Sequence, residues 1–301
     1  MYSHPPELAR RLQPSIPPAG LRWPGGKGLA ISFVLNIEEG AELSLASGDE
    51  RNEPVHEVIR EINDVPDFCM QSHFDYGASA GYRRVVKRFI DGRLPLTLNV
   101  CGRALESTPW VSDDARQHGF EMSGHGWRWE SPAHMDEATE RAMIARTAAT
   151  IERLSGRAPV GWHCKSTASV NTRRLLQEHG GFLYDSDFFG DDLPWVQTLA
   201  DGRRHAVLPY AFDTNDMRFF DRAAFVSGAD FASYVIDAIN ELRREAQDAP
   251  RMMTIGLHTR IMGRPARVGG LDAVLRHIDS CAKELWLARR EDIARHWLAH
   301  A

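Results

Sequence analysis

The chain has 301 residues, 43% of them hydrophobic, and its 36 basic and 41 acidic side chains leave a net charge of -5. That length and apolar content suffice for one large core of the α/β-barrel kind, and the mixed charges, with no basic block to follow a phosphate backbone, argue against a nucleic-acid partner. Cys69, Cys101, Cys164 and Cys281 are scattered without a Cys-x-x-Cys pair, which argues against a disulfide framework and for a reducing compartment.

Residues 1–28 are rich in Pro and Arg and lack the apolar segment of a secretion signal. No apolar run approaches the roughly 20 residues of a membrane span. The reading is an extension packed on the surface of a cytoplasmic protein that engages no membrane, followed by a single catalytic domain over 29–301. Residues 29–37 form the near-continuous apolar run of a buried strand and end in Glu38-Glu39-Gly40. Further strands are predicted at 94–101, 120–125, 159–164, 182–185, 206–212, 252–258 and 285–288. Helical spacing separates most of them. The clearest helix starts at Asp136 as N-cap, carries Met143, Ile144, Ala148, Ile151 and Leu154 at three-to-four spacing, and stops at Gly156. Others are predicted at 82–90, 171–179, 231–245, 266–281 and 291–300. Each parallel crossover needs a helix to bring the chain back, so this alternation predicts an α/β fold: a distorted (β/α) barrel of about seven strands.

Polar clusters sit where that fold would use them. Glu38-Glu39, His125, His163-Cys164-Lys165, Asp185 with Asp187, Asp213 to Asp216, and His258 with Arg260 all fall at or just after the C-terminal end of a predicted strand. In a (β/α) barrel those ends converge on one mouth. Loops are polar in any case, so each cluster alone stands at about even odds; together they favour an enzyme acting on a small molecule. Repulsion between Glu38 and Glu39, with partial desolvation, would raise one pKa and make it a usable general base. A His at the end of an apolar strand is a core residue about as often as a catalytic one. His125 and His258 together with the paired carboxylates tilt the reading to catalysis.

The order of these motifs resembles the polysaccharide deacetylase family: an acidic pair plus Gly after the first strand, a His-centred motif near residue 125, and a Leu-His motif near the C-terminal end. The resemblance implies Glu38 as base, Glu39 as the second acid, His125 as the first of two metal-binding His, and His258 as general acid. The second His is missing, because Trp129 stands four residues after His125. Longer stretches are similar to a narrower group, the metal-independent bacterial allantoinases. These are Asn36-Ile37-Glu38-Glu39-Gly40, Ser123-Gly124-His125-Gly126-Trp127-Arg128-Trp129, Asp213-Thr214-Asn215-Asp216-Met217-Arg218-Phe219 and Gly263-Arg264-Pro265-Ala266-Arg267. That group implies a homotetramer and a cyclic amide substrate. The segment His163-Cys164-Lys165-Ser166-Thr167-Ala168-Ser169-Val170 departs from it, where Gly-Trp-Tyr and a Gly-Arg-Thr-Gly-like turn are expected, and this places the identity of the ring in question.

A catalytic zinc site keeps three protein ligands and an open position, and Glu39 with His125 supply two. The expectation is therefore a site without metal or other cofactor, with recruitment of a third ligand from His73, His163 or Cys164 as the alternative. Loss of the metal suits a ureide or imide, whose nitrogen leaves more easily than that of an acetamide. In the expected mechanism Glu38 or Glu39 takes a proton from the attacking water, His258 protonates the departing nitrogen, and His125 orients the pair or stabilises the oxyanion. Trp127 and Trp129 would wall the ring, with Lys165, Asp187, Asn215, Asp216, Arg260 and Arg264 at its polar edges. The structural alternatives are that Arg264 caps the helix after it, that Asp185 and Asp216 pair with arginines, and that the tryptophans only pack. Two other functions stay open at this level. One is a metal-dependent cyclic imide hydrolase or carbohydrate N-deacetylase; the other is a barrel kept as a binding module.

Overall fold

The computed structural model describes residue 13 and residues 15–54, 61–220 and 225–301. The first part of the predicted N-terminal extension, residues 1–12 and 14, lies outside them. From its described part Trp23 is buried: its Nε1 donates to the Arg251 carbonyl at 2.7 Å, and its ring lies 5.8 Å from Trp286 and 5.7 Å from Trp297.

Nine strands form one sheet: β1 (Leu29–Ile37), β2 (Thr97–Val100), β3 (Glu121–Gly124), β4 (Gly161–Trp162), β5 (Tyr184–Asp185), β6 (Trp195–Thr198), β7 (Arg204–Val207), β8 (Arg251–His258) and β9 (Leu285–Leu287). Their order is β6-β7-β5-β4-β3-β2-β1-β8, with β9 added beside β1. β1 is the axis of the arrangement. Along one edge it pairs with the length of β8; along the other β9 takes Leu29 to Ile31 and β2 takes Val34 to Ile37. A strand with neighbours on both edges and helices outside has no wet face, which is why all nine of its residues are buried and why its sequence runs apolar without alternation.

The expected helices form, and the longest is bounded by the residues that its sequence marks. The Asp136 side chain accepts from the Thr139 amide at the start of Glu137–Ser155, and Gly156 ends it at φ 78°. Four α-helices among the described residues were not expected: Phe68–Tyr76, Gly102–Ser107, Trp110–His118 and Thr259–Met262. All have nine residues or fewer, too short for an apolar period to stand out. β6 was not expected either. It joins β7 in the one antiparallel pair among the described strands, through a turn holding Asp201-Gly202, with Gly202 at φ 83°. Asp-Gly between two apolar runs is a hairpin signal.

Between β7 and β8 the barrel closes without a ladder. One parallel bridge, Asn215 to Gly256, joins the chain after β7 to β8. Side chains complete the seam: Thr214 Oγ1 donates to the Thr254 carbonyl at 2.6 Å, and Thr254 Oγ1 donates to the Pro209 carbonyl at 3.0 Å. Arg290, fully buried at the start of the last helix, spans the same gap. It donates to Ser186 Oγ at 3.0 Å, Thr254 Oγ1 at 2.7 Å, and the Leu208 and Pro209 carbonyls at 3.1 and 2.9 Å. Arg290→Met keeps the aliphatic bulk but strands these acceptors. It is expected to lower stability by about 3 kcal/mol or more, read as a shifted urea midpoint.

Candidate active site

A cavity of about 660 Å³ opens at the C-terminal ends of the strands and is lined by Glu38, His125, Trp129, His163, Lys165, Asn215 and His258, among others. Glu38, the first residue after β1, lies at its centre of charge. Its Oε1 is 3.3 Å from His125 Nε2 and 3.5 Å from His258 Nε2, and its Oε2 accepts from Arg260 Nη1 at 2.6 Å. Burial alone would raise the pKa of Glu38, but the charges of Arg260 and His258 outweigh it and hold the carboxyl well below its usual range. Glu39 points away from the cavity. It accepts from Thr259 Oγ1 and from the Glu38 amide, with Arg260 Nη1 at 3.7 Å, and burial raises its pKa against the pull of Arg260. One of the adjacent acids is raised as expected, but it is Glu39, which is turned away from the cavity, and not Glu38, which faces it.

His258 ends β8 and is held from behind. Asp216 accepts from its Nδ1 at 2.7 Å and from its backbone amide at 2.8 Å. Burial would lower the pKa of His258, yet Glu38 on one side and Asp216 on the other push it up to about 10. At neutral pH the cavity thus presents a carboxylate beside an imidazolium. His125 follows β3; its Nδ1 donates to the His163 carbonyl at 2.6 Å, and its Nε2 lies 3.3 Å from Glu38 Oε1.

The remaining predicted residues divide. Trp129, Lys165 and Asn215 line the cavity. Trp129 carries the Lys165 ammonium 3.6 Å above its ring, and Lys165 also binds Glu53 at 2.7 Å. Asp216 is not at a substrate edge and has no arginine partner there, because His258 takes both of its oxygens. Asp187 stands behind His163, its Oδ1 accepting from the Cys164 amide at 2.8 Å. Arg260 is fully buried beneath Glu38, between the rings of Phe74 and Trp129 at 4.7 and 4.8 Å, and so holds the base rather than the ring. Trp127 lies outside the cavity, with the Arg146 guanidinium 3.4 Å from its ring centre. Arg264 lies outside as well, stacked 3.7 Å from Tyr76 and bonded to His73 at 2.6 Å. Asp185 does pair with an arginine, Arg173, at 2.6 Å.

Asn36 and Tyr210 are among the lining residues that the sequence reading gave no role. Asn36 lies inside β1, and its Nδ2 contacts Tyr210 Oη at 3.0 Å and His258 Nε2 at 3.3 Å. An Asn within a buried strand whose one other polar residue is Ser32 is an available signal, since a buried amide must find partners. Tyr210 follows β7 and its hydroxyl is the other half of that contact.

The donors do not suit a metal ion. Among the described residues no three His, Cys, Asp or Glu side chains converge as a ligand set. The Arg260 guanidinium lies against both carboxylates, and burial raises the Cys164 thiol well above its ordinary value, with Asp187 adding to the effect. His73 is taken by Arg264.

A distorted (β/α) barrel with an acid pair after its first strand and His at the ends of β3 and β8 defines a class of hydrolase. The chain belongs to the polysaccharide deacetylase family, whose profile matches residues 63–180. A relative in Schizosaccharomyces pombe, classed with the polysaccharide deacetylases, is 34% identical over 300 residues, covering 92% of each chain. Among solved structures, PuuE allantoinase is 38% identical with a TM-score of 0.88, covering 95% of this chain and 94% of its own. A probable polysaccharide deacetylase from Pseudomonas aeruginosa PAO1 is 40% identical with a TM-score of 0.87, covering 92% and 93%. No helix of the described residues is long and apolar enough to cross a membrane.

Proposed function

We propose that this chain is a hydrolase of C–N bonds in a small cyclic ureide, of which allantoin is the first to test, and that it works without a metal ion. The observation that carries the reading is the Glu38–His258 pair at 3.5 Å, with Arg260 behind one member and Asp216 behind the other. A carboxylate accepts the proton of a water attacking the ring carbonyl carbon, and the adjacent imidazolium protonates the ring nitrogen as its bond to that carbon breaks. Both groups stand at neutral pH in the state that this direction of reaction needs. The likeness to PuuE allantoinase along nearly the whole chain supports the ring as substrate.

A ureide nitrogen spreads developing charge onto its second carbonyl, so the reaction asks less of a Lewis acid than an acetamide would. Arg260 supplies fixed positive charge beneath the base, and the Asn215 amide and Tyr210 hydroxyl offer polar contacts on the cavity wall. By family resemblance the protein assembles as a tetramer and acts in the cytoplasm on a product of purine breakdown; this is part of the same proposal. Purified protein is expected to open allantoin at an unchanged rate after dialysis against a chelator. Deacetylation of an N-acetyl sugar that disappears on chelation and returns with zinc, with no ring opened, would overturn the reading.

A further inference from the structure

We propose that His163, held by Asp187, selects the substrate by accepting a hydrogen bond from an unsubstituted ring N–H; this rests on the ring-hydrolase reading above. His163 follows β4 and lines the cavity beside His125 and Tyr210, with ring centres 5.4 and 3.9 Å away. Its ring is nearly parallel to that of His125, at 11°, so the two imidazoles form one wall. Its Nδ1 lies 3.0 Å from Asp187 Oδ1, at an angle short of a full hydrogen bond. Both side chains are buried, at 8% exposure each.

The chemistry follows from which nitrogen holds the proton. Nδ1 faces an oxygen that can only accept, so Nδ1 carries the hydrogen of the neutral ring, and Nε2 is left with a lone pair. The ring stays neutral because burial lowers its pKa and the Asp187 carboxylate only partly offsets this. Asp187 is itself fixed, since its Oδ1 also accepts from the Cys164 amide at 2.8 Å. His125 and His258 both face Glu38, whereas among the described residues the carboxylate within ion-pair distance of His163 is Asp187, on Nδ1. It therefore offers an acceptor where a carbonyl or ether oxygen of a ligand finds no donor. A ring N–H fits it; the same ring methylated at that nitrogen loses the bond and leaves a buried acceptor unpaired.

The test uses hydantoin and its 1-methyl and 3-methyl derivatives, with binding read by calorimetry and ring opening read separately. The wild-type protein is expected to bind hydantoin about 10–100-fold more tightly than one of the two methyl derivatives. In His163→Phe this preference is expected to fall to within about twofold. Asp187→Asn, which removes the charge that fixes the hydrogen on His163 Nδ1, is expected to reduce it as well, whereas His163→Gln, which keeps an acceptor, retains it. The Asp187→Asn result decides the matter even if His163→Phe does not fold. An N-methyl preference unchanged in the variants, or no wild-type binding of hydantoin, would overturn the proposal. Hydantoin bound with the stated preference but no ring opened would count against the hydrolase reading alone.

Discussion

Glu38→Gln is expected to lower kcat/KM for ring hydrolysis by about 10³-fold while the far-ultraviolet circular dichroism stays that of the wild type. Glutamine preserves the shape and still offers an oxygen to Arg260 Nη1, but it cannot take a proton. The same change removes the negative charge that helps to keep His258 protonated, so base and acid weaken together. Glu39→Gln serves as the contrast. Glu39 is turned to Thr259 and away from the cavity, and Gly77 is packed so near that a Cβ there would come within 2.5 Å of its Oε1. Its loss is expected to cost stability before chemistry. A Glu38→Gln enzyme within about tenfold of wild type would remove Glu38 from the role of base.

The second large effect is expected at His258. His258→Ala removes the proton donor and is expected to reduce kcat by about 10²–10⁴-fold. Asp216→Asn is the more informative change, because it leaves the imidazole in place. With a folded value near 10, the wild-type rate is expected to hold through neutral pH and fall on an alkaline limb as His258 loses its proton. Removing one of its two carboxylates draws that limb down toward the ordinary value of 6.5. The sign for stability is the same: a raised histidine stabilises the fold fully below 6.5, and that contribution is lost as pH rises through about 10. The acid limb lies below the ordinary carboxylate value of 4.5, where Glu38 takes up a proton. A pH–rate profile of Asp216→Asn that overlies the wild type would show that Asp216 does not set the state of the acid.

Much of the barrel is legible in the sequence where the pattern is local. The run 29–37 coincides with β1, because a strand covered on both faces needs no alternation and its boundary falls where apolar residues give way to Glu38. Glu38, His125 and His258 stand at strand ends, and the topology brings those ends together. What the sequence hides is pairing at a distance. Asp216 and His258 meet across 42 residues, and nothing near Asp216 distinguishes a partner of histidine from a residue facing substrate. Trp127 and Trp129 lie two apart in an irregular segment with no period to tell which ring turns to the cavity; packing under Arg146 takes one and the Lys165–Arg260 stack takes the other. Arg260 reads as a contact for the ring's polar edge until its burial between two aromatic rings, against Glu38, is seen.

The seam between β7 and β8 bears on how such an enzyme can change. The stretch from Tyr210 to Arg218 walls one side of the cavity, yet a single backbone bridge and a few side-chain hydrogen bonds tie it to the sheet. Residues in a continuous ladder are constrained by register, since a shift of one position turns every side chain over. This wall is not bound in that way. Apart from Asp216, which holds His258, its side chains can be exchanged, and its path before Thr214 lengthened or shortened, while β1, β8 and the Glu38–His258 pair keep their places. The barrel thus keeps Glu38 and His258 at the ends of laddered strands and leaves the part of this wall other than Asp216 free to vary in what it contacts, which lets lineages diverge in what they hydrolyse without rebuilding how they do so.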